Sequence, residues 1–211
     1  MSFSTMAKIK VIYGEDNRLD VFEATNDKYV ELSESTAAMI PNGKLKELNA
    51  EQFELGGSSL SDRGMCERER FSKQPTAANC SGFLVGKDKL VTAGHCVQNQ
   101  SDCNGSSWVF GYKVDHSDQS EVVVDKSQVY KCKSIVSQKL EGSTENDYAL
   151  IELEREVEDH KPLKFRTEGK PAVGDKLVVI GHPTGLPTKI AAGVTVRKIN
   201  SVSLKVSIKL K

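Results

Sequence analysis

The sequence predicts an all-β protein, and three observations carry that prediction. From Cys80 onward the chain is a succession of short apolar runs separated by turn residues: Phe83 to Val85, Leu90 to Ala93, Trp108 to Gly111, Val122 to Val124, Tyr148 to Leu153 and Lys176 to Ile180. Runs of this length and spacing suit the strands of a sandwich or barrel better than helices. Gly86-Lys87-Asp88-Lys89, between the first two runs, has the composition of a hairpin turn. From Ser201 the chain alternates strictly, with Val202, Leu204, Val206, Ile208 and Leu210 set against Ser or Lys, the period of one half-buried strand.

The stretch before Cys80 reads differently. Lys8 to Tyr13 is strand-like, Gly14-Glu15-Asp16-Asn17 is a turn, and a second apolar stretch covers Leu19 to Phe22, so a hairpin is expected. Lys44 to Leu55 carries Leu45, Leu48, Phe53 and Leu55 among good helix formers and ends at Gly56-Gly57, which predicts a short helix and a flexible joint. Residues 1–63 are taken as an N-terminal extension, a propeptide or a part of the fold with the first reading preferred, followed by a unit over 64–167 and another over 168–211. No internal repeat, low-complexity tract or heptad pattern interrupts this order.

Bulk composition narrows the partners. Lys plus Arg and Asp plus Glu are both 29, so there is no net field to recruit nucleic acid or an anionic membrane. No apolar run approaches the roughly 20 residues of a spanning helix, and the opening MSFSTMAKIKVIYGED lacks the apolar core of a secretory signal. Neither nucleic acid nor membrane is expected as a partner, and the sequence does not address oligomeric state. Cys66, Cys80, Cys96, Cys103 and Cys132 contain no C-x-x-C pair, so disulfides in an oxidising compartment are favoured over zinc or redox chemistry. No metal or cofactor is predicted.

Two motifs carry chemistry. Cys80-Ser81-Gly82-Phe83-Leu84-Val85, a polar turn and Leu90-Val91-Thr92-Ala93-Gly94-His95-Cys96 describe a hairpin whose second strand ends in a small-residue turn, able to project the His95 imidazole into a cleft. Asn146-Asp147-Tyr148-Ala149-Leu150-Ile151-Glu152-Leu153 places an aspartate at the head of an apolar strand, where it could be screened from water and accept an imidazole N–H. The T-A-G-H-C and D-x-A-L patterns resemble those of the trypsin-like serine peptidases. The resemblance implies a double β-barrel, a disulfide between Cys80 and Cys96, catalytic roles for His95 and Asp147, a protein or peptide substrate and an extracellular or periplasmic location. Gly181-His182-Pro183-Thr184-Gly185-Leu186-Pro187 is similar to a turn in the bacterial glutamyl-endopeptidase-like branch. His182 there, and His116 and His160 in polar loops, are expected to be loop histidines without a chemical role, the last two solvated.

The resemblance also predicts what is missing. In this family the nucleophile sits in a G-[DN]-S-G turn that also builds the oxyanion hole. After Asp147 the serines are Ser201, Ser203 and Ser207, none flanked by glycine and all in the alternating run. Residues 168–211 leave room for about four strands at one per 8–12 residues, fewer than the family's second barrel holds. The expectation is a complete first barrel, a partial second one, and a C-terminally truncated serine endopeptidase lacking its nucleophile. A non-catalytic remnant or peptide-binding module is the alternative.

Overall fold

The computed structural model describes residues 16–199. The run Lys8 to Tyr13 and the alternating run from Ser201 lie outside the described residues. In chain order the first elements are β1 (Arg18–Asp20), α1 (Asp27–Ser33), β2 (Thr36–Pro41), β3 (Leu45–Glu47) and β4 (Gln52–Leu55). Next come β5 (Cys80–Leu84), β6 (Lys89–Thr92), α2 (Gln100–Gly105), β7 (Ser106–Val109) and β8 (Val123–Asp125). The last are β9 (Val129–Glu141), β10 (Asn146–Leu153), β11 (Lys176–Gly181) and β12 (Lys189–Thr195).

Six strands close into an antiparallel barrel in the order β10-β6-β5-β2-β7-β9. Closure pairs every strand on both sides and leaves no exposed edge. The hairpin at residues 86–89 is present, with Val85 N–H donating to Lys89 O at 2.8 Å. Alternation fills the interior: Leu84, Leu90, Trp108, Tyr130, Ile151 and Leu153 are buried in one cluster. Gly82 faces that cluster because a Cβ there would overlap Leu90 and lie 2.6 Å from the Trp108 ring. Cys103 of α2 is bonded to Cys132 of β9, which pins the helix to the barrel wall.

The barrel takes one strand from before residue 64. In β2, Ala37 and Met39 point into the barrel cluster, whereas Ala38 and Ile40 join a second cluster with Leu55, Val109, Tyr112 and Val124. That second core lies under the three-stranded sheet β3-β4-β8. The helix expected over Lys44 to Leu55 is instead the strand pair β3 and β4, with Leu45 opposite Leu55 and Glu47 opposite Phe53. Asn49 starts the turn between them, its side chain accepting from Glu51 N–H at 2.9 Å, and burial of Leu55 against the barrel outweighs helix propensity.

The remaining sheet has the order β1-β12-β11. Arg18–Asp20 pairs with β12, Leu19 facing Ile190, so this apolar stretch serves the C-terminal half of the chain. Arg70 secures the same segment by donating to Asp16 O at 3.1 Å and Arg18 O at 2.7 Å. Beneath it Lys189, 2% exposed, reaches Asp20 Oδ1 at 2.5 Å, Gln74 Oε1 at 2.7 Å and Pro187 O at 3.0 Å. This sheet stays open: among the described residues β11 pairs only with β12.

Candidate active site

The site is built where two neighbouring barrel strands reach the same end. Antiparallel pairing of β6 with β10 sets Thr92 opposite Ala149. The residues just after Thr92 therefore meet those just before Ala149. Gly94 makes the turn: a Cβ on it would fall on the Lys139 carbonyl oxygen and within 2.9 Å of Tyr148 O, so no larger residue lets the backbone press this closely on β9 and β10. Gln138 Nε2 holds the Gly94 carbonyl at 3.1 Å, and Cys96 N–H closes the turn on Ala93 O at 3.1 Å. Cys96 is bonded to Cys80 across a Cα separation of 6.3 Å, which ties the turn to β5.

His95 and Asp147 meet there through two hydrogen bonds. The Nδ1 of His95 lies 2.7 Å from Asp147 Oδ2, and its backbone N–H donates to Asp147 Oδ1 at 2.9 Å. An ionised carboxylate only accepts, so Nδ1 carries a proton, and in the neutral imidazole that makes Nε2 the basic nitrogen. Partial desolvation pushes the Asp147 carboxyl up, but the hydrogen bonds from the His95 ring and backbone outweigh it and hold the group below its ordinary value. The pair is wetter than the sequence suggested, with side-chain exposures of 59% for His95 and 39% for Asp147. Beside Asp147 a recess of about 370 Å³ is lined by Phe83, Val91, Tyr148 and Ile180.

Between Asp147 and residue 199 the chain contains no serine at all. Cys80, His95 and Cys96 bring potential ligand atoms within 4.8 Å of one another, but both sulfurs are consumed by the disulfide and offer no thiolate to a metal.

Comparison with known proteins resolves the ancestry of this geometry. The family model described as Trypsin matches residues 64–207. The chain belongs to the trypsin family. The trypsin-like fold is also what solved structures share with it. The scabies mite inactivated protease paralogue S-D1 gives a TM-score of 0.50 at 15% identity, covering 89% of this chain and 63% of that one. Human heparin binding protein gives 0.47 at 16% identity, covering 80% and 62%. A Glu endopeptidase in complex with MPD gives 0.49 at 14%, covering 95% and 79%. The chain thus spans less than two thirds of the length of the human and mite proteins. No curated protein sequence matches it.

The other trypsin-family expectations divide. His116 is an exposed loop residue. His160 is not solvated: its ring stacks on Phe110 at 4.5 Å, its Nε2 bonds Gln128 Oε1 at 2.6 Å, and burial holds its pKa below the ordinary value. His182 does precede the proline turn, yet it is 5% exposed, stacked on Tyr112, and pushed by burial down to about 3. Its Nδ1–H donates to Leu186 O at 3.2 Å, which makes it a neutral core group. Cys66 is the one free cysteine and is exposed, so the odd cysteine count comes from an unpaired surface thiol. Gln138 and the recess residues Phe83 and Tyr148 were not singled out from sequence, because strand register alone brings them to the site.

Proposed function

We propose that His95 and Asp147 are the acid–base half of a serine-peptidase triad that acts on protein or peptide substrates, and that these 211 residues have no peptidase activity of their own. The 2.7 Å contact between His95 Nδ1 and Asp147 Oδ2 carries the reading. It leaves Nε2 facing outward, the atom that would take a proton from a nucleophile and return it to a leaving group, while Asp147 stabilises the imidazolium formed in between. The absence of serine from 148–199, and of a glycine-flanked serine from 201–211, supports the second half of the proposal. Without that turn there is no hydroxyl to deprotonate and no oxyanion donors to stabilise the tetrahedral charge. The Gly181–Pro187 turn supports kinship with the bacterial glutamyl-endopeptidase-like branch, and the two disulfides among the described residues support an extracellular or periplasmic setting.

A second reading has a specific observation behind it: the edge of β11, which has no second strand partner among the described residues, can accept an extended peptide as an added strand, which needs no catalysis. One experiment tests the first reading. The purified chain is incubated with casein and with a fluorophosphonate probe. The expected result is background turnover and no labelling. Turnover abolished by His95→Ala, or labelling at Ser201, Ser203 or Ser207, contradicts the proposal.

A further inference from the structure

One peptide unit in the His95 turn is gripped at both ends. Its carbonyl, Gly94 O, accepts from Gln138 Nε2 at 3.1 Å. Its amide, His95 N–H, donates to Asp147 Oδ1 at 2.9 Å, and the other carboxylate oxygen faces His95 Nδ1 at 2.7 Å. The links therefore run in one direction, from the Gln138 amide through the peptide plane to the carboxylate and on to the imidazole. Resonance couples the two ends of a peptide unit: a donor on the carbonyl draws electron density toward oxygen and makes the N–H a better donor.

Strand register puts Gln138 within reach of that carbonyl. Gln138 of β9 pairs with Ala149 of β10, which pairs on its other side with Thr92 of β6. The three form one row across the barrel wall, and Gly94 follows two residues after the last of them. Gln138 is half-buried, and among the described residues its amide bonds nothing but Gly94 O. On the carboxylate side, burial raises the Asp147 carboxyl, and the His95 ring, the His95 N–H and the Gly94 N–H together more than offset it. Two of those three donors belong to the turn backbone, the segment that Gln138 fixes.

A second glutamine grips the same turn in a different way. Gln98 Nε2 donates to His95 O at 3.3 Å, the carbonyl of the next peptide unit. The N–H of that unit, on Cys96, returns to Ala93 O at 3.1 Å and does not serve Asp147. We propose that Gln138 is a positioning residue: its donation to Gly94 O sets the strength and direction of the His95 N–H bond to Asp147, and thereby holds the carboxylate where it orients the imidazole. The proposal rests on His95 and Asp147 being a working pair, and not on turnover.

The test compares the 211-residue chain with Gln138→Met, Gln138→Leu, Gln138→Lys and Gln98→Met by NMR at neutral pH. Two signals are read in each: the exchange rate of the His95 amide proton in deuterated water, and the share of neutral His95 rings protonated at Nδ1. In the two donor-free variants, Gln138→Met and Gln138→Leu, the His95 amide exchanges about fivefold faster, the scale of one net hydrogen bond, and the Nδ1–H share falls. Gln138→Lys keeps an N–H donor on a chain of similar reach and returns both signals toward wild type. Gln98→Met leaves both unchanged, although it removes the same kind of bond from the same turn. Either signal unchanged in the donor-free variants, an equal change in Gln98→Met, or a Gln138→Lys chain no better than Gln138→Met overturns the proposal. A wild-type ring protonated at Nε2 overturns the pair itself, and the proposal with it.

Discussion

Replacing Lys189 with methionine tests whether the N-terminal segment belongs to the fold. The wild-type ammonium is 2% exposed and makes three contacts, to Asp20, Gln74 and Pro187. Burial pushes its pKa down to about 8 against the pull of Asp20, so it is charged at neutral pH. Methionine fills a similar volume but leaves Asp20, also 2% exposed, with Gln74 Nε2 at 2.9 Å as its remaining side-chain partner. Removing one member of a buried pair costs about 3–5 kcal/mol, chiefly the penalty of the stranded charge. Against a typical total of about 5–15 kcal/mol this is a large loss. Urea unfolding monitored by circular dichroism should show it as a lowered midpoint. The double variant Asp20→Asn with Lys189→Met should recover at least half, because the stranded charge is gone. A single variant within about 1 kcal/mol of wild type, or a double variant no better than the single, would refute the reasoning and detach residue 20 from the sheet β1-β12-β11.

Two other outcomes follow from the same structure. His182 has a folded pKa of about 3 against an ordinary 6.5, so between those values the unfolded chain binds the extra proton and stability falls as pH falls; relative to His182→Asn, wild type should lose about 1.4 kcal/mol per pH unit in mid-window, and parallel stability curves for the two proteins would exclude the assignment. Replacing Cys80 and Cys96 with alanine opens a bridge spanning 16 residues, which should cost about 3 kcal/mol in the chain-entropy model, measured as a shift in unfolding midpoint; an unchanged midpoint, or free thiols in unreduced peptide maps of oxidised wild type, would count against the bridge.

The sequence was most legible where local pattern and tertiary role agree. Leu90 to His95 and Asp147 to Leu153 begin or continue as short apolar runs of strand length, Leu90, Ile151 and Leu153 pack into the barrel core, and their motifs mark the pair that the barrel brings together. Strand β2 was missed because Thr36 to Ile40 is buried on both faces, so it shows no alternation to read. Lys44 to Leu55 was misread because its leucines suit a helix as well as a strand pair, and only the packing of Leu55 under the barrel decides between them. His160 and His182 sit in polar, proline-rich stretches, and their burial comes from Phe110 and Tyr112, remote in sequence. The Cys103–Cys132 bridge could not be chosen from spacing, since three cysteines remained once Cys80 and Cys96 were paired.

The proton between His95 and Asp147 decides whether the carboxylate orients the imidazole, and the tautomer of His95 reads it most directly. Long-range ¹H–¹⁵N correlation spectra distinguish which ring nitrogen is protonated in the neutral imidazole. The 2.7 Å contact with an acceptor-only carboxylate requires Nδ1–H. The wild-type chain should show that tautomer, and Asp147→Asn should lose the bias because an amide can also donate to Nδ1. A wild-type ring protonated at Nε2, unaffected by Asp147→Asn, would mean that the carboxylate does not orient the base and that the pair is not the remnant of a triad.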